Sequence, residues 1–117
     1  MWQSEDLMDW QEEAKAIVND VKAHLKAVEV SHVLESTNQR IFINATTLEG
    51  RELCICVSGM GFRIVGNNFD TVNADVEENG RIYETPYALF TDISPLYVES
   101  FGQALQKAME SLAEKSQ

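Results

Sequence analysis

Residues 40–66 read RIFINATTLEGRELCICVSGMGFRIVG: three apolar, β-branched runs broken by glycine-bearing turns. Arg40 to Thr46 alternates, Glu52 to Ser58 is the next strand, and Phe62 to Gly66 follows after only Gly59-Met60-Gly61. Alternation with β-branched enrichment predicts strands. Turns this short cannot hold a crossover, so the strands should pair antiparallel as hairpins. Outward from this block, residues 28–34, VEVSHVL, enter a first strand as a preceding helix ends, and residues 36–39, STNQ, form a turn. Residues 81–85 are a fifth short strand or an extended run.

Helices flank the sheet. Ser4 is suited to cap the first, with Glu5 and Asp6 where the helix dipole favours anions. Leu7, Trp10, Ala14, Ile17, Val18, Val21, Leu25 and Val28 recur at steps of three and four and make a single narrow stripe. Residues 67–80 are polar and acidic and read as a loop, with Phe69 and Val72 as anchors. Thr85-Pro86 starts a short helix, and Ser94-Pro95 repeats that signal for a long last one. The expected fold is α+β: an N-terminal helix, an antiparallel meander of four strands (five if residues 81–85 join), then a short helix and a long C-terminal helix packed on one sheet face. Residues 1–12 are an N-terminal extension continuing into the first helix, and residues 13–117 a single domain.

Nineteen acidic residues against nine basic give a net charge of −10 at pH 7. Nucleic acid and anionic membranes would be repelled, so neither is an expected partner. No apolar run reaches membrane-span length, and MWQSEDLMDW lacks the basic start of a signal peptide. Cys54 and Cys56 stand two apart on a strand, point the same way and are read as free thiols in a reducing compartment.

Chemistry-bearing patterns are weak. His24 and His32 lack Cys or carboxylate neighbours at zinc-ligand spacing, and Cys54-Ile-Cys56 is too short for a zinc pair. Asn73, Asp75, Glu77 and Glu78 lack the glycine and the closing glutamate of a calcium loop. Gly59-Met-Gly61 joins two strands, so no helix end faces a phosphate. Asn44-Ala-Thr46 fits a glycosylation sequon, without a secretory route into which it would fit. No nucleophile or carboxylate pair is singled out. The reading is a non-enzyme with no metal and no cofactor.

The last helix carries the most apolar surface. Tyr97, Phe101, Ala104, Leu105, Ala108 and Leu112 make one face, which Val98 and Met109 widen to about 140° of arc. Its first turns, with Tyr97 and Phe101, suit the core. Leu105, Met109 and Leu112 would overhang, as in helix-in-groove binding.

Several blocks resemble the GSKIP family, the glycogen synthase kinase-3 beta interaction proteins. These are residues 13–21, EAKAIVNDV; residues 65–72, VGNNFDTV; residues 84–87, ETPY; and above all Ser94-Pro-Leu-Tyr97 with residues 99–105, ESFGQAL. The resemblance runs in order from about residue 13 to residue 112. It implies a small cytoplasmic α+β protein, with the nucleus as a second compartment, that has no enzymatic activity and acts in Wnt signalling as a monomer. It implies that the C-terminal helix binds glycogen synthase kinase-3, in the groove that also takes a helix of the scaffold axin, and that this binding can inhibit the kinase. The contact positions fall on Phe101, Leu105, Ala108, Met109 and Leu112. Met109 replaces a leucine of similar volume, and Ala108 replaces an arginine, removing one polar contact.

Some members also anchor the type II regulatory subunit of protein kinase A through the first helix. The matching positions are Val18, which fits, and Lys22, where a leucine is expected. Burying an unpaired ammonium is costly, so this anchoring is expected to be weak or absent. The competing reading is an assembly domain whose last helix docks only on itself. Burial of Leu105, Met109 and Leu112 would favour it.

Overall fold

The computed structural model describes residues 10–115. Ser4, Glu5, Asp6 and Leu7, assigned above to the start of the first helix, lie outside the described residues. Helix α1 (Trp10–Val21) passes through a 3-10 turn (Lys22–His24) into strand β1 (Ala27–Val30). Strands β2 (Arg40–Thr46), β3 (Glu52–Ser58) and β4 (Gly61–Gly66) follow, then helices α2 (Ala74–Asn79), α3 (Pro86–Ile93) and α4 (Pro95–Lys115). The strands form one antiparallel sheet in the order β1-β2-β3-β4. The expected α+β meander is the observed one.

Side-chain alternation divides the sheet cleanly. Ile41, Ile43, Ala45, Leu53, Ile55 and Val57 point to one face, where they pack with Ala14 and Val21 of α1, Leu25, Leu89 and Phe90 of α3, and Tyr97 of α4. Phe42, Cys54 and Val65 point to the other face and form a smaller cluster with Leu34 and Cys56. The register of β3 with β4 shifts between Cys54 and Ile55, so Val65 is an extra residue on its strand.

The first helix stops earlier than its apolar stripe suggests. Leu25 and Val28 fit a helical spacing, but Val28 pairs with Ala45 in β1, and Lys26 N donates to Thr46 O at 2.9 Å. Pairing to a formed hairpin edge outweighs the helical period. Residues 67–80 are not all loop either. Asn73 caps α2, its side chain accepting from the backbone N of Asp75 and Val76 at 3.0 and 3.2 Å. Of the two expected anchors, Phe69 is partly buried and Val72 is exposed. Residues 81–85 meet the sheet at a single bridge, where the N–H of Phe62 and of Tyr83 each donate to the other's carbonyl at 2.8 Å. Gly61, just before it, has φ +129, and a Cβ there would strike the Tyr83 carbonyl.

On the second sheet face, Asp70 closes the bend after β4. It sits at φ 57. Its carboxylate accepts from the Ser31 hydroxyl and from Asn44 Nδ2, and its N–H donates to Asn44 Oδ1 at 2.8 Å. These bonds, Ser31 first, hold the Asp70 carboxyl below its ordinary range.

Candidate functional site

Helix α4 is built from its first turn upward. Thr85 caps α3 by accepting from Ala88 N at 3.0 Å, and Ser94 ends that helix and starts the next. Ser94 Oγ accepts from Tyr97 N at 3.0 Å and donates to Glu49 Oε1 at 2.6 Å; Glu49 Oε2 accepts from Leu96 N at 2.9 Å. The β2–β3 hairpin thus supplies an anion at a helix N-terminus, where the dipole favours one. These bonds, led by that from Ser94, hold the Glu49 carboxyl down at about 2.

One turn on, Tyr97 is buried against Phe90, with ring centroids 5.4 Å apart. Burial pushes its phenol up to about 12, and Tyr87 adds to the effect. Its hydroxyl is buried with no hydrogen-bond partner among the described residues. His24, on the 3-10 turn, lies edge-on to Tyr97 and Phe101 at 5.6 and 5.5 Å, and its Nδ1 is 2.8 Å from Ser100 Oγ. Contact with the body of the protein is thereby concentrated between Ser94 and Phe101.

Beyond this root the apolar face stays open. Phe101 is 43% exposed, Leu105 52%, Met109 60% and Leu112 66%, and Ala108 is exposed beside them. Tyr87 of α3, its ring 6.3 Å from Phe101, and Val98 extend the patch at the helix base. Helical spacing makes these side chains one strip along α4. Burial of Leu105, Met109 and Leu112 would favour a last helix docked only on its own domain, and none of the three is buried. Scattered exposed apolar residues are ordinary, but these line up in a continuous strip on one helix.

The first helix offers less. Val18 is partly buried on α1, and Lys22 is exposed on the 3-10 turn after α1 has ended, so the α-helical ladder does not continue through both.

The other residues weighed from the sequence fall elsewhere. Cys54 is buried and Cys56 partly buried; both are free, and burial pushes both thiols up from their ordinary values. A raised thiol is a poor nucleophile. Asn44 is 3% exposed and its amide is held by Asp70, which closes the sequon to glycan transfer. Asn73 is a helix cap. Among the described residues no helix is long and apolar enough to cross a membrane. Glu49 is the contributor that sequence reading missed. It stands 45 residues before Ser94, and only the hairpin brings the two together.

The sequence model of the GSKIP domain matches residues 10–112. A Danio rerio protein named "GSK3-beta interaction protein" is 37% identical over 112 residues, covering 96% of this chain and 83% of the relative. The Homo sapiens "GSK3B-interacting protein" is 34% identical over 112 residues, 96% of this chain and 79% of its own length. A Drosophila melanogaster "Protein GSKIP homolog" is 33% identical over 90 residues, covering 77% of this chain and 76% of the relative. Sharing the domain from α1 into the last helix, and aligned with these relatives along most of its length, the chain belongs to the GSKIP domain family.

Proposed function

We propose that the protein is a non-enzymatic regulatory module that binds glycogen synthase kinase-3 through the exposed strip of α4, with Phe101, Leu105, Ala108, Met109 and Leu112 at the contact. The observation that carries this reading is the exposure of Leu105, Met109 and Leu112 on a helix whose first turns are fastened. The names of the relatives supply the partner. An amphipathic helix laid in an apolar groove gains roughly 1.5–3 kcal/mol for each large side chain taken from full exposure to full burial, and less for sites already partly covered. Met109 conserves the volume of a leucine, and Ala108 offers no charge to the groove, so affinity is lowered without a change of binding mode. A helix seated in a groove used by a scaffold helix excludes that scaffold, which is the route to inhibition.

Anchoring of the protein kinase A regulatory subunit is weak or absent in this reading, because Lys22 puts an ammonium where an apolar contact is needed. The protein acts as a monomer in the cytoplasm and nucleus. Titration of purified kinase with the full chain by calorimetry tests the central claim. Leu105→Glu and Met109→Glu should each abolish binding while leaving the unfolding midpoint in place; unchanged capture of the kinase by Met109→Glu would overturn the interface.

A further inference from the structure

Among the described residues, the sheet face turned away from α1, α3 and α4 has its apolar cover at one end. There the bend around Asp70 and the segment carrying Leu34 lie over Phe42, Cys54 and Val65. At the other end, cross-strand pairing sets Phe42 beside Cys56 and Cys56 beside Arg63, with Arg40 and Ser58 paired one step further out. A cavity of about 400 Å³ opens over Arg40, Cys56, Ser58 and Arg63, within the range of small-molecule sites. It stands apart from the α4 strip.

The charge in this cavity is unusual for so acidic a chain. Both Arg40 and Arg63 line it, against the single lining carboxylate of Glu77 on α2. Among the described residues neither guanidinium has an ion-pair partner, whereas Arg81 finds Asp92 at 3.6 Å. Arg40 lies over the Phe42 ring at 5.5 Å, which directs it along the sheet face. Arg63 is held from behind: its stem passes so close under Gly80 that a Cβ there would come within 3.1 Å of Arg63 Cγ. Its Nε is buried and has no acceptor among the described residues. That nitrogen is closed to solvent, so a ligand meets the outer nitrogens of the group, and two guanidiniums lining one cleft suit an oxyanion that accepts from both. Ser58 adds a hydroxyl whose oxygen already accepts from Met60 N, leaving its own hydrogen to donate. The rim is apolar, with Met60 and Ile82 both exposed.

We infer that this cleft binds a small organic phosphate, the phosphate accepting from the outer guanidinium nitrogens of Arg63 and Arg40 and the organic group covering Met60 and Ile82. Phenyl phosphate is a suitable probe, titrated into the full-length protein at constant ionic strength while the Arg63 backbone amide resonance is followed by NMR. A saturable shift of that resonance is expected, with inorganic phosphate binding more weakly because it leaves the apolar rim bare. Arg40→Gln, at an exposed position that leaves the amide spectrum folded, should raise the Kd about tenfold, the loss of one charge-assisted contact. No saturable shift by 10 mM phenyl phosphate would overturn the proposal. So would an equal shift with sodium chloride, equal affinity for inorganic phosphate, or an unchanged Kd in Arg40→Gln.

Discussion

The carboxylate of Glu49, on the β2–β3 turn, accepts the hydroxyl hydrogen of Ser94 at 2.6 Å and thereby ties a hairpin to the first turn of α4, 45 residues later. Its second oxygen accepts from Leu96 N. Both bonds are made to the charged form, so the folded carboxyl sits at about 2 against an ordinary value of 4.5. A depressed folded value stabilises the protein above the unfolded one and is lost as pH falls through the folded one. Glu49→Gln should therefore lower the melting temperature at pH 7, and the gap to the parent should close between pH 4.5 and 2. Melting curves across that range, followed by circular dichroism, measure it.

Tyr97 carries a buried hydroxyl without a partner among the described residues. Removing an unsatisfied group at constant shape costs little and can help. Tyr97→Phe should range from neutral to about 1 kcal/mol more stable in urea unfolding at pH 7. Ionisation gives a second sign. The folded phenol is raised to about 12, so the parent loses stability as pH rises from about 10, where an unfolded tyrosine ionises. The phenylalanine variant should lose less there.

Phe101 and Met109 occupy the same strip but differ in what they touch. Phe101 has the rings of His24, Tyr87 and Tyr97 within 6.3 Å, whereas Met109 is 60% exposed. Phe101→Ala should cost roughly 1–2 kcal/mol of stability, and Met109→Ala no more than about 0.5. Both should weaken kinase binding. Urea unfolding and calorimetry, run side by side, separate the two effects.

Lys22→Leu removes the ammonium from the 3-10 turn that follows the first helix. Any weak binding of the protein kinase A regulatory subunit should tighten in this variant, as read by fluorescence polarisation with the purified subunit. Tight binding by the unmodified chain would contradict the proposal.

Much of the fold was legible because its signals are local. The runs Arg40–Thr46 and Glu52–Ser58 are short, apolar and bounded by turns, and both strands occupy those residues. Thr85-Pro86 and Ser94-Pro95 each open the helix they announce. Helix α2 was missed because residues 74–79 carry no apolar stripe. Its signal was Asn73 followed by Asp75 and Glu77, a cap with acids in the first turn. The end of α1 was misjudged because Leu25 and Val28 continue its steps of four and three from Val21, and only the partner strand discriminates. The apolar strip of α4 was visible as periodicity, but its openness depends on how little of the helix the sheet can reach. The arginine cleft draws Arg40, Arg63 and Glu77 from three elements and has no linear signature.

The fastened first turn of α4 also changes what recognition costs. A free peptide of the same sequence would have to nucleate its helix, with a factor of ~10⁻³, equivalent to about 4 kcal/mol. In the intact chain Ser94 caps the first turn and Tyr97 clamps it to the core, so the nucleus is formed by the body of the protein. The remaining turns are added by propagation alone. A partner gripping Leu105, Met109 and Leu112 would meet a helix whose slowest step is complete, the folded domain serving as the primer for the exposed half of its last helix.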